Sequence, residues 1–258
     1  YKVDNTITLI GALRVTKRNA MVWRKNMLAS LIGNLGQPFL FLLALGYGLG
    51  RTITEIEGHS YLQFIAPGLA ASAVMYSAGF EATYGSYTRL ATQSTFIGIM
   101  MSPVSTAELA VGEILWGACK GLLSGLIMLL ALPLFGLIPS AWTILFLPLL
   151  FIEGILFAAL GLIMSSLAAS YEFFNYFVSL FLTPLFLFSG IFFSLASLPE
   201  TTGLILQFLP LTPMVNLARS FCYGQFNGLW PVQIIAVCLA AAVATSLAAV
   251  LLRRRLIK

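Results

Sequence analysis

The chain has 258 residues, of which 59% are hydrophobic and only 9% are charged, and its mean hydropathy is +0.95. This composition excludes a water-soluble globular protein and predicts a membrane protein in which residues 1–258 form one domain. The net charge of +5 is concentrated at the two ends, so it indicates orientation in a membrane rather than binding to nucleic acid.

Both ends of the chain are basic. The C-terminal flank carries Arg253, Arg254, Arg255 and Lys258 without an acid. The N-terminal flank holds one acid, Asp4, and a larger set of bases: Lys2, Arg14, Lys17, Arg18, Arg24 and Lys25. Because Lys and Arg concentrate on the cytoplasmic side of membrane proteins, both termini are predicted to be cytoplasmic. The number of membrane spans must then be even.

Six apolar segments are long enough to cross a bilayer, at about 27–49, 62–80, 106–132, 141–167, 173–194 and 229–252. The apolar block 202–222 contains Pro210, Pro213 and Arg219, which leave its uninterrupted runs too short for a span. A seventh crossing would also place one basic end on the wrong side. The sequence therefore predicts an all-α membrane protein with six transmembrane helices and a re-entrant helical pair at 202–222, before the last span.

Residues 5–25 have a helical period, with four bases on one side and apolar residues such as Ala12 and Val15 on the other. The segment is too polar to span, so it is predicted to be an amphipathic interface helix on the cytoplasmic surface. It serves either as an anchor alone or also as a contact for a cytosolic partner. No cleavable signal peptide is recognised. Because the chain begins with Tyr1 rather than Met, we expect further sequence before it.

Two loops are predicted on the cytoplasmic side. The longer, 81–105, contains a short helical segment at about 92–101 with Phe96, Ile99 and Met100 on one face. An exposed apolar knob on a loop is typical of a docking surface, although the segment could instead lie flat on the bilayer. The shorter loop, 169–174, holds Tyr171 and Glu172.

Charged and polar residues inside predicted spans are costly and identify candidate sites. Glu113 and Lys120 share one face of the third span, and Glu153 lies alone in the fourth at a similar depth. Lys120 is predicted to balance Glu113 or Glu153, either as a structural pair or with a role in transport. Asn34 and Gln37 share a face of the first span, which must turn towards another helix or a wet path.

Motifs for catalysis are not found in the sequence. It has no phosphate-binding G-x-x-x-x-G-K-[ST] loop. Its one histidine, His59, cannot build a metal site alone, and Cys119, Cys222 and Cys238 do not have the spacing of metal ligands. We therefore expect that the chain does not hydrolyse ATP alone and has no cofactor or metal of its own.

Several motifs, in order along nearly the whole chain, carry a resemblance to a known family. They are ASLIGNLGQP (29–38), SYLQF (60–64), FEATY (80–84), GEILWGACK (112–120), SYEFF (170–174), TPLFLFSGIFFSLASLP (183–199) and LLRRRLIK (251–258). With them, the chain resembles the permease subunits of ABC-2-type exporters. Within these it is most similar to the NodJ-like permeases of lipo-oligosaccharide export.

The resemblance implies a homodimer in the bacterial inner membrane that binds two separate ABC ATPase subunits, which hold the ATP and Mg²⁺. It also assigns residues to two roles. Coupling to the ATPases would involve Thr95, Phe96, Ile99, Met100, Tyr171, Glu172, Arg18 and Lys25. The translocation path would be lined by Asn34, Gln37, Glu81, Tyr84, Phe173, Phe177 and Phe181. Where the family often has an acid in the first coupling helix, this chain reads Phe96-Ile97-Gly98, so apolar docking is expected.

The leading functional hypothesis is therefore export of an amphiphilic glycan-bearing lipid or a related hydrophobic molecule. The alternative within the same fold is efflux of a drug or small metabolite. A membrane enzyme acting on lipid-linked sugars would need clustered acids at one membrane face, whereas the acids here are scattered. An assembly scaffold without transport is a further alternative. A partner ATPase would favour export over both the membrane enzyme and the assembly scaffold.

Overall fold

A computed structural model describes residues 9–53, 55–137, 140–226 and 228–257. About 82% of the chain is helical, which confirms the predicted all-α class. The described residues form eleven α-helices, α1 Leu9–Trp23, α2 Met27–Tyr47, α3 Tyr61–Phe80, α4 Thr95–Met100, α5 Thr106–Ala131, α6 Thr143–Leu167, α7 Phe173–Phe177, α8 Thr183–Phe188, α9 Glu200–Gln207, α10 Thr212–Tyr223 and α11 Trp230–Leu256. Strands β1 Glu55–Ile56 and β2 His59–Ser60 form a short antiparallel hairpin between α2 and α3.

Three helical segments of the described chain are long and apolar enough to cross a membrane: Thr106–Phe135, Thr143–Leu167 and Trp230–Leu256. They coincide closely with three of the six predicted spans. Pro38–Tyr47 and Phe173–Phe188 are shorter apolar helices. The count of six spans remains a prediction.

The predicted span 173–194 is shorter in the structure. Helices α7 and α8 are joined by a π-helical turn, Val178–Leu182, and the helix ends at Phe188. Gly190 follows with φ +79°, a left-handed conformation that interrupts a helix and that glycine adopts without steric cost. The residues after Gly190 therefore leave the helix axis and fold over the end of the bundle.

Helix α3 continues beyond its predicted end. Two π-helical turns, Glu81–Gly85 and Thr88–Thr92, extend it into the segment that the sequence had indicated as a loop. The prediction was wrong here because the polar side chains of this extension find partners on α5, which makes a polar helix stable beside an apolar bundle. Ser94, in the left-handed region, then turns the chain into α4.

Small residues bring the core helices close together. A Cβ added to Gly154 on α6 would lie 2.8 Å from the Cα atom of Ala118 on α5. A Cβ on Gly161 would lie 2.8 Å from the carbonyl oxygen of Gly79 on α3. Helices α3, α5 and α6 therefore pack with their backbones nearly in contact, as small residues permit inside membranes.

Helix α1 packs on α5 rather than lying free. The Thr16 hydroxyl donates to the Gly112 carbonyl at 3.0 Å, and the buried face includes Ala12, Val15 and Asn19. The predicted helix therefore forms over its described part, with Ala12 and Val15 on the buried side as expected. Leu9 and Val22, assigned to the same side, are exposed. The first residues of the predicted segment 5–25 lie outside the described chain.

Helix α10 is held against the Tyr61 end of α3 by two polar side chains. Pro67 has no backbone N–H, which leaves the Gln63 carbonyl without its helical partner, and the Tyr223 hydroxyl donates to that carbonyl at 2.8 Å. The Arg219 guanidinium donates to the carbonyls of Phe64, Gly190 and Ile191 at 2.6 to 3.1 Å. These bonds join α10, α3 and the chain beyond α8. A re-entrant position of α9 and α10 in a bilayer remains a prediction.

Candidate functional site

Four charged side chains meet between the extension of α3 and helix α5. Arg89 forms salt bridges with Glu81, at 2.9 Å, and with Glu113, at 2.7 Å. Lys120 forms a salt bridge of 2.7 Å with the other oxygen of Glu81. We call these four residues, with the side chains that hydrogen-bond to them, the charge network.

Neutral side chains complete the hydrogen bonding of the two acids. The Trp116 indole donates to Glu81 at 2.9 Å, and the Ser86 hydroxyl donates to Glu113 at 2.7 Å. On α1, the Asn19 amide donates to the second oxygen of Glu113 at 2.6 Å. The charge network therefore joins three elements: α1, the α3 extension and α5.

The charge network is internally balanced, with two acids and two bases. The Glu113 side chain is fully buried, and those of Glu81, Arg89 and Lys120 are largely buried. Desolvation of such charges is costly and is offset only when each lone pair finds a donor. Because both oxygens of each acid are bonded here, the network is stable as a unit and removal of one member would leave an unpaired charge.

The predicted pairing of Lys120 was wrong. Lys120 binds Glu81 rather than Glu113 or Glu153, because the helical extension of α3 carries Glu81 and Arg89 alongside α5. Glu113 is balanced by Arg89 instead. Glu153 is fully buried on α6, and neither carboxyl oxygen has a hydrogen-bond partner within the described residues. Two of the three predicted intramembrane polar residues thus enter the charge network, and Glu153 does not.

The second predicted cytoplasmic loop packs against the same extension of α3. The Tyr87 hydroxyl donates to the Ala169 carbonyl at 2.7 Å, and Tyr171 shares hydrogen bonds with Thr88 and Thr92. These bonds to Thr88 and Thr92 lower the pKa of Tyr171 below its ordinary value. From α11, Arg255 donates to the free carbonyls at the end of α6. The α3 extension is therefore held both by the charge network and by the loop after α6.

Helix α4 exposes different residues from those predicted. Phe96 is 0% exposed and packs in the main hydrophobic core, while Ile99 and Met100 are half-buried against it. The exposed apolar side chains are Ile97, at 58%, and Met101, at 87%. The prediction that Phe96 is an exposed knob was wrong because a six-residue helix offers too short a period to show which face meets the core.

The other predicted coupling residues lie nearby on the surface or at its edge. Thr95 begins α4, Glu172 is exposed in the loop after α6, and Lys25 is exposed after α1. Arg18 donates to the Asn19 amide oxygen at 2.9 Å, which connects it to the charge network. Their role in coupling is not tested by the geometry.

The residues predicted for a translocation path do not form one cluster. The ring centroids of Phe177 and Phe181 lie 5.4 Å apart, while Phe173 and Tyr84 pack against a separate small core that contains Phe174. Glu81 belongs to the charge network. The side chains of Asn34 and Gln37 lie outside the described part of the structure. A path lined by these residues stays a prediction.

Sequence reasoning missed Arg89, Ser86 and Asn19. All three were assigned to surface segments, where polar residues need no explanation. One available signal was that residues 81–92 contain no proline and a single glycine, Gly85. Glycine and proline are the strongest local signals of a loop, so their near absence was compatible with a helix, even though the Thr and Ser residues of this segment favour a loop.

Comparison with known proteins agrees with the helical architecture. Residues 12–223 match the family described as "ABC-2 type transporter". The chain is 33% identical over 247 residues to "Nodulation protein J" of Sinorhizobium fredii, with 95% of this chain and 94% of the relative covered. It is also 33% identical over 246 residues to the protein of the same name from Rhizobium leguminosarum bv. viciae, with 95% of each covered. The "Inner membrane transport permease YadH" of Escherichia coli is 29% identical over 199 residues, covering 76% of this chain and 75% of the relative.

Proposed function

Because the chain belongs to the ABC-2 type transporter family of membrane transport permeases, we propose that it is the permease subunit of an ATP-driven exporter. Members of this family normally work with ATPase subunits. The exporter comprises two copies of this chain and two ATPases in the bacterial inner membrane. The ATPases bind the ATP and Mg²⁺, and this chain supplies the path for the cargo.

The observation that carries the proposal is the charge network. It connects α1 and the segment leading to α4 with α5, a helix long and apolar enough to cross a membrane. Surface elements without such a connection could move independently of the bundle. Bonded through Arg89, the α3 extension and α5 move together, so a force applied at α4 reaches the core helices.

This connection assigns a role to α4, to the α3 extension and to α5. Ile97 and Met101 on α4 present the apolar surface on which an ATPase docks. Phe96 fixes α4 to the core, so that displacement of the docked ATPase displaces the α3 extension. The extension carries Glu81 and Arg89, and these pull on α5 through Glu113 and Lys120. The cargo path opens between the two permeases in response.

The proposed cargo is an amphiphilic glycan-bearing lipid or a related hydrophobic molecule. Two considerations support it: near full-length similarity to proteins named nodulation protein J, and the motif resemblance to lipo-oligosaccharide exporters. The aromatic side chains of α7 and α8 provide surfaces that suit both sugar rings and acyl chains. Efflux of small drugs is the competing outcome of the test.

The test is reconstitution of this permease with its ATPase in lipid nanodiscs. ATP hydrolysis is measured with alkyl glycosides of increasing chain length, with the free sugars and with a panel of hydrophobic drugs. We expect stimulation by the alkyl glycosides that is absent in a control whose ATPase lacks its phosphate-loop lysine. Failure of the two subunits to co-purify, or stimulation by drugs alone, would contradict the proposal.

A further inference from the structure

A cavity lies at the end of the bundle opposite the charge network. It has a volume of about 450 Å³ and is lined by hairpin β1–β2, the chain after α8 and helix α10. Phe64, one of its lining residues, is roughly 25 Å from Glu81 along the axis of α3. Small-molecule sites commonly have volumes of about 300–1,000 Å³, so this cavity is large enough for a ligand.

The walls of this cavity are fixed by bonds already in place. Tyr223 and Arg219 hold α10 to α3 and to the carbonyls after α8. The Ser194 hydroxyl donates to the Glu57 carboxylate, which joins the hairpin to the opposite wall. The cavity is therefore a preformed concavity rather than a gap between mobile segments.

Several polar groups in the lining remain unused. The side-chain amides of Asn216 and Gln225 make no hydrogen bond within the described chain, although each offers two donors and an acceptor oxygen. Asn216, Arg219 and Tyr223 recur at i, i+3 and i+7, so they lie on one face of α10. The helix thus presents the free amide of Asn216 one turn before Arg219, on the same face as two side chains that are held in place.

The charges of the lining favour a neutral ligand. Arg219 and Glu57 carry opposite charges, and the Nε and Nη2 atoms of Arg219 are already bonded to carbonyls. Arg219 is the one Lys or Arg among the described lining residues, and the free donors belong to neutral amides, so the lining lacks the group of cationic donors that would favour a phosphate. Phe226, 40% exposed, adds an apolar ring to the same wall.

We propose that this cavity binds a neutral saccharide unit. The free amides suit the hydroxyl groups of a sugar because each amide can donate and accept at once, and the C–H face of a sugar ring packs on an aromatic ring. The saccharide is the glycan head of the exported amphiphile, received after it crosses the bundle. The claim that the saccharide belongs to the exported amphiphile rests on the proposed function. The claim that the cavity binds a neutral saccharide rests on its lining residues.

Tryptophan emission provides the measurement. Trp142 and Trp230 contact Phe226 at ring-centroid distances of 5.7 and 6.0 Å, so a sugar that packs on Phe226 changes their surroundings. The full chain is reconstituted in nanodiscs, since maltoside detergents would compete for the site. It is titrated with cellobiose, with diacetylchitobiose, with the matching alkyl glycosides and with inorganic phosphate. Saturable binding of a neutral sugar is expected, and phosphate is expected to have no effect.

Two variants remove the free amides. Asn216→Leu and Gln225→Leu are each expected to weaken sugar binding about five- to tenfold, the effect of one lost hydrogen bond. Asn175→Leu makes the same chemical change at an exposed position on α7 and is the matched control. Gln225 is exposed, so its variant remains informative if Asn216→Leu fails to fold. No neutral-sugar binding, unchanged affinity in both variants, or binding of phosphate instead would overturn the proposal.

The arms of the experiment separate this inference from the proposed function. Tighter binding of alkyl glycosides than of the free sugars would show that the cavity receives the head of an amphiphile. Equal affinities would show that the cavity binds free sugars, and would overturn the proposal that the saccharide comes from the exported amphiphile. If the cavity binds sugars but glycosides never stimulate the ATPase, the proposed cargo fails and the saccharide site stands. If glycosides stimulate normally while Asn216→Leu and Gln225→Leu bind sugar like the unaltered chain, the site fails alone.

Discussion

The Nζ atom of Lys120 lies 2.7 Å from Oε2 of Glu81, in a region from which water is largely excluded. In such surroundings a charge is tolerated because of its partner, and removing one partner costs far more than the pair itself contributes. Each acid of the charge network also receives neutral donors, from Trp116 to Glu81 and from Ser86 to Glu113. The residues of this site are therefore best studied in pairs.

Lys120→Met is expected to lower the thermal stability of the purified permease, since it leaves one oxygen of Glu81 without its cation. The loss should be about 2–3 kcal/mol, below the usual cost of breaking a buried pair because Arg89 and Trp116 still donate to the other oxygen of Glu81. Adding Glu81→Gln should recover part of the loss. The measurement is the midpoint of heat-induced loss of the monodisperse form.

A further double variant identifies the partner. Lys120→Met combined with Glu153→Gln should show no such recovery, because the Glu153 carboxylate has no salt bridge or hydrogen bond within the described residues. Equal recovery with Glu153→Gln would mean that Lys120 reaches α6 instead. A silent Lys120→Met would show that the lysine is solvated and that its salt bridge contributes nothing.

Helix α4 combines an anchor and an exposed surface within six residues. Phe96 packs in the core, whereas Ile97 and the adjoining Met101 project apolar side chains into solvent. A buried Phe contributes about 1.5–3 kcal/mol by burial. Substitutions on the two faces should therefore have separable effects, one on folding and one on association.

Phe96→Asp is expected to destabilise the permease itself, because it places a carboxylate in an apolar core. Ile97→Asp and Met101→Asp should leave thermal stability unchanged and reduce co-purification of the ATPase, with loss of export. Ala91→Asp, at an exposed position of the α3 extension, is the charge control and should affect neither readout. Normal ATPase association in both exposed-face variants would exclude α4 as the docking element.

The elements differ in how well the sequence predicts them. Helices α5, α6 and α11 were located to within a few residues, because long apolar runs leave no alternative to a helix in a membrane. The extension of α3 could not be predicted, because residues 81–92 are polar and become helical only through partners on another helix. For the same reason the partner of Lys120 was missed, and the burial of Phe96 depends on which neighbour α4 meets.

At the scale of the whole molecule, the charge network and the saccharide-sized cavity lie at opposite ends of α3. The predicted topology, with both basic termini in the cytoplasm, would put the charge network on the ATPase side and the cavity on the outside. Helices α9 and α10 would then enter and leave the membrane from the outer face. In this proposal the transporter has an energy-receiving end and a cargo-releasing end.

The orientation is tested with single cysteines after Cys119, Cys222 and Cys238 are replaced. Glu200→Cys and Gly228→Cys flank α9 and α10, and both should react with an impermeant thiol reagent added outside the cell. A Cβ at Gly228 contacts nothing within 4 Å, so this substitution is sterically free. The neighbouring position 227 lies outside the described residues. Arg254→Cys is the cytoplasmic control and should react only after permeabilisation. Labelling of the two sites from opposite sides would show that the segment crosses the membrane.

The bond between Tyr223 and the Gln63 carbonyl makes the residue required at position 223 depend on the residue at position 67, far away in the chain. The hydroxyl at 223 is needed because Pro67 removes the N–H that would otherwise satisfy that carbonyl. In a relative with alanine at position 67, the backbone N–H of that residue would donate to the Gln63 carbonyl, and the Tyr223 hydroxyl would no longer be needed. Phenylalanine could then replace tyrosine at position 223, whereas a chain with proline at position 67 would retain tyrosine. Among relatives, the two positions should therefore vary as a correlated pair.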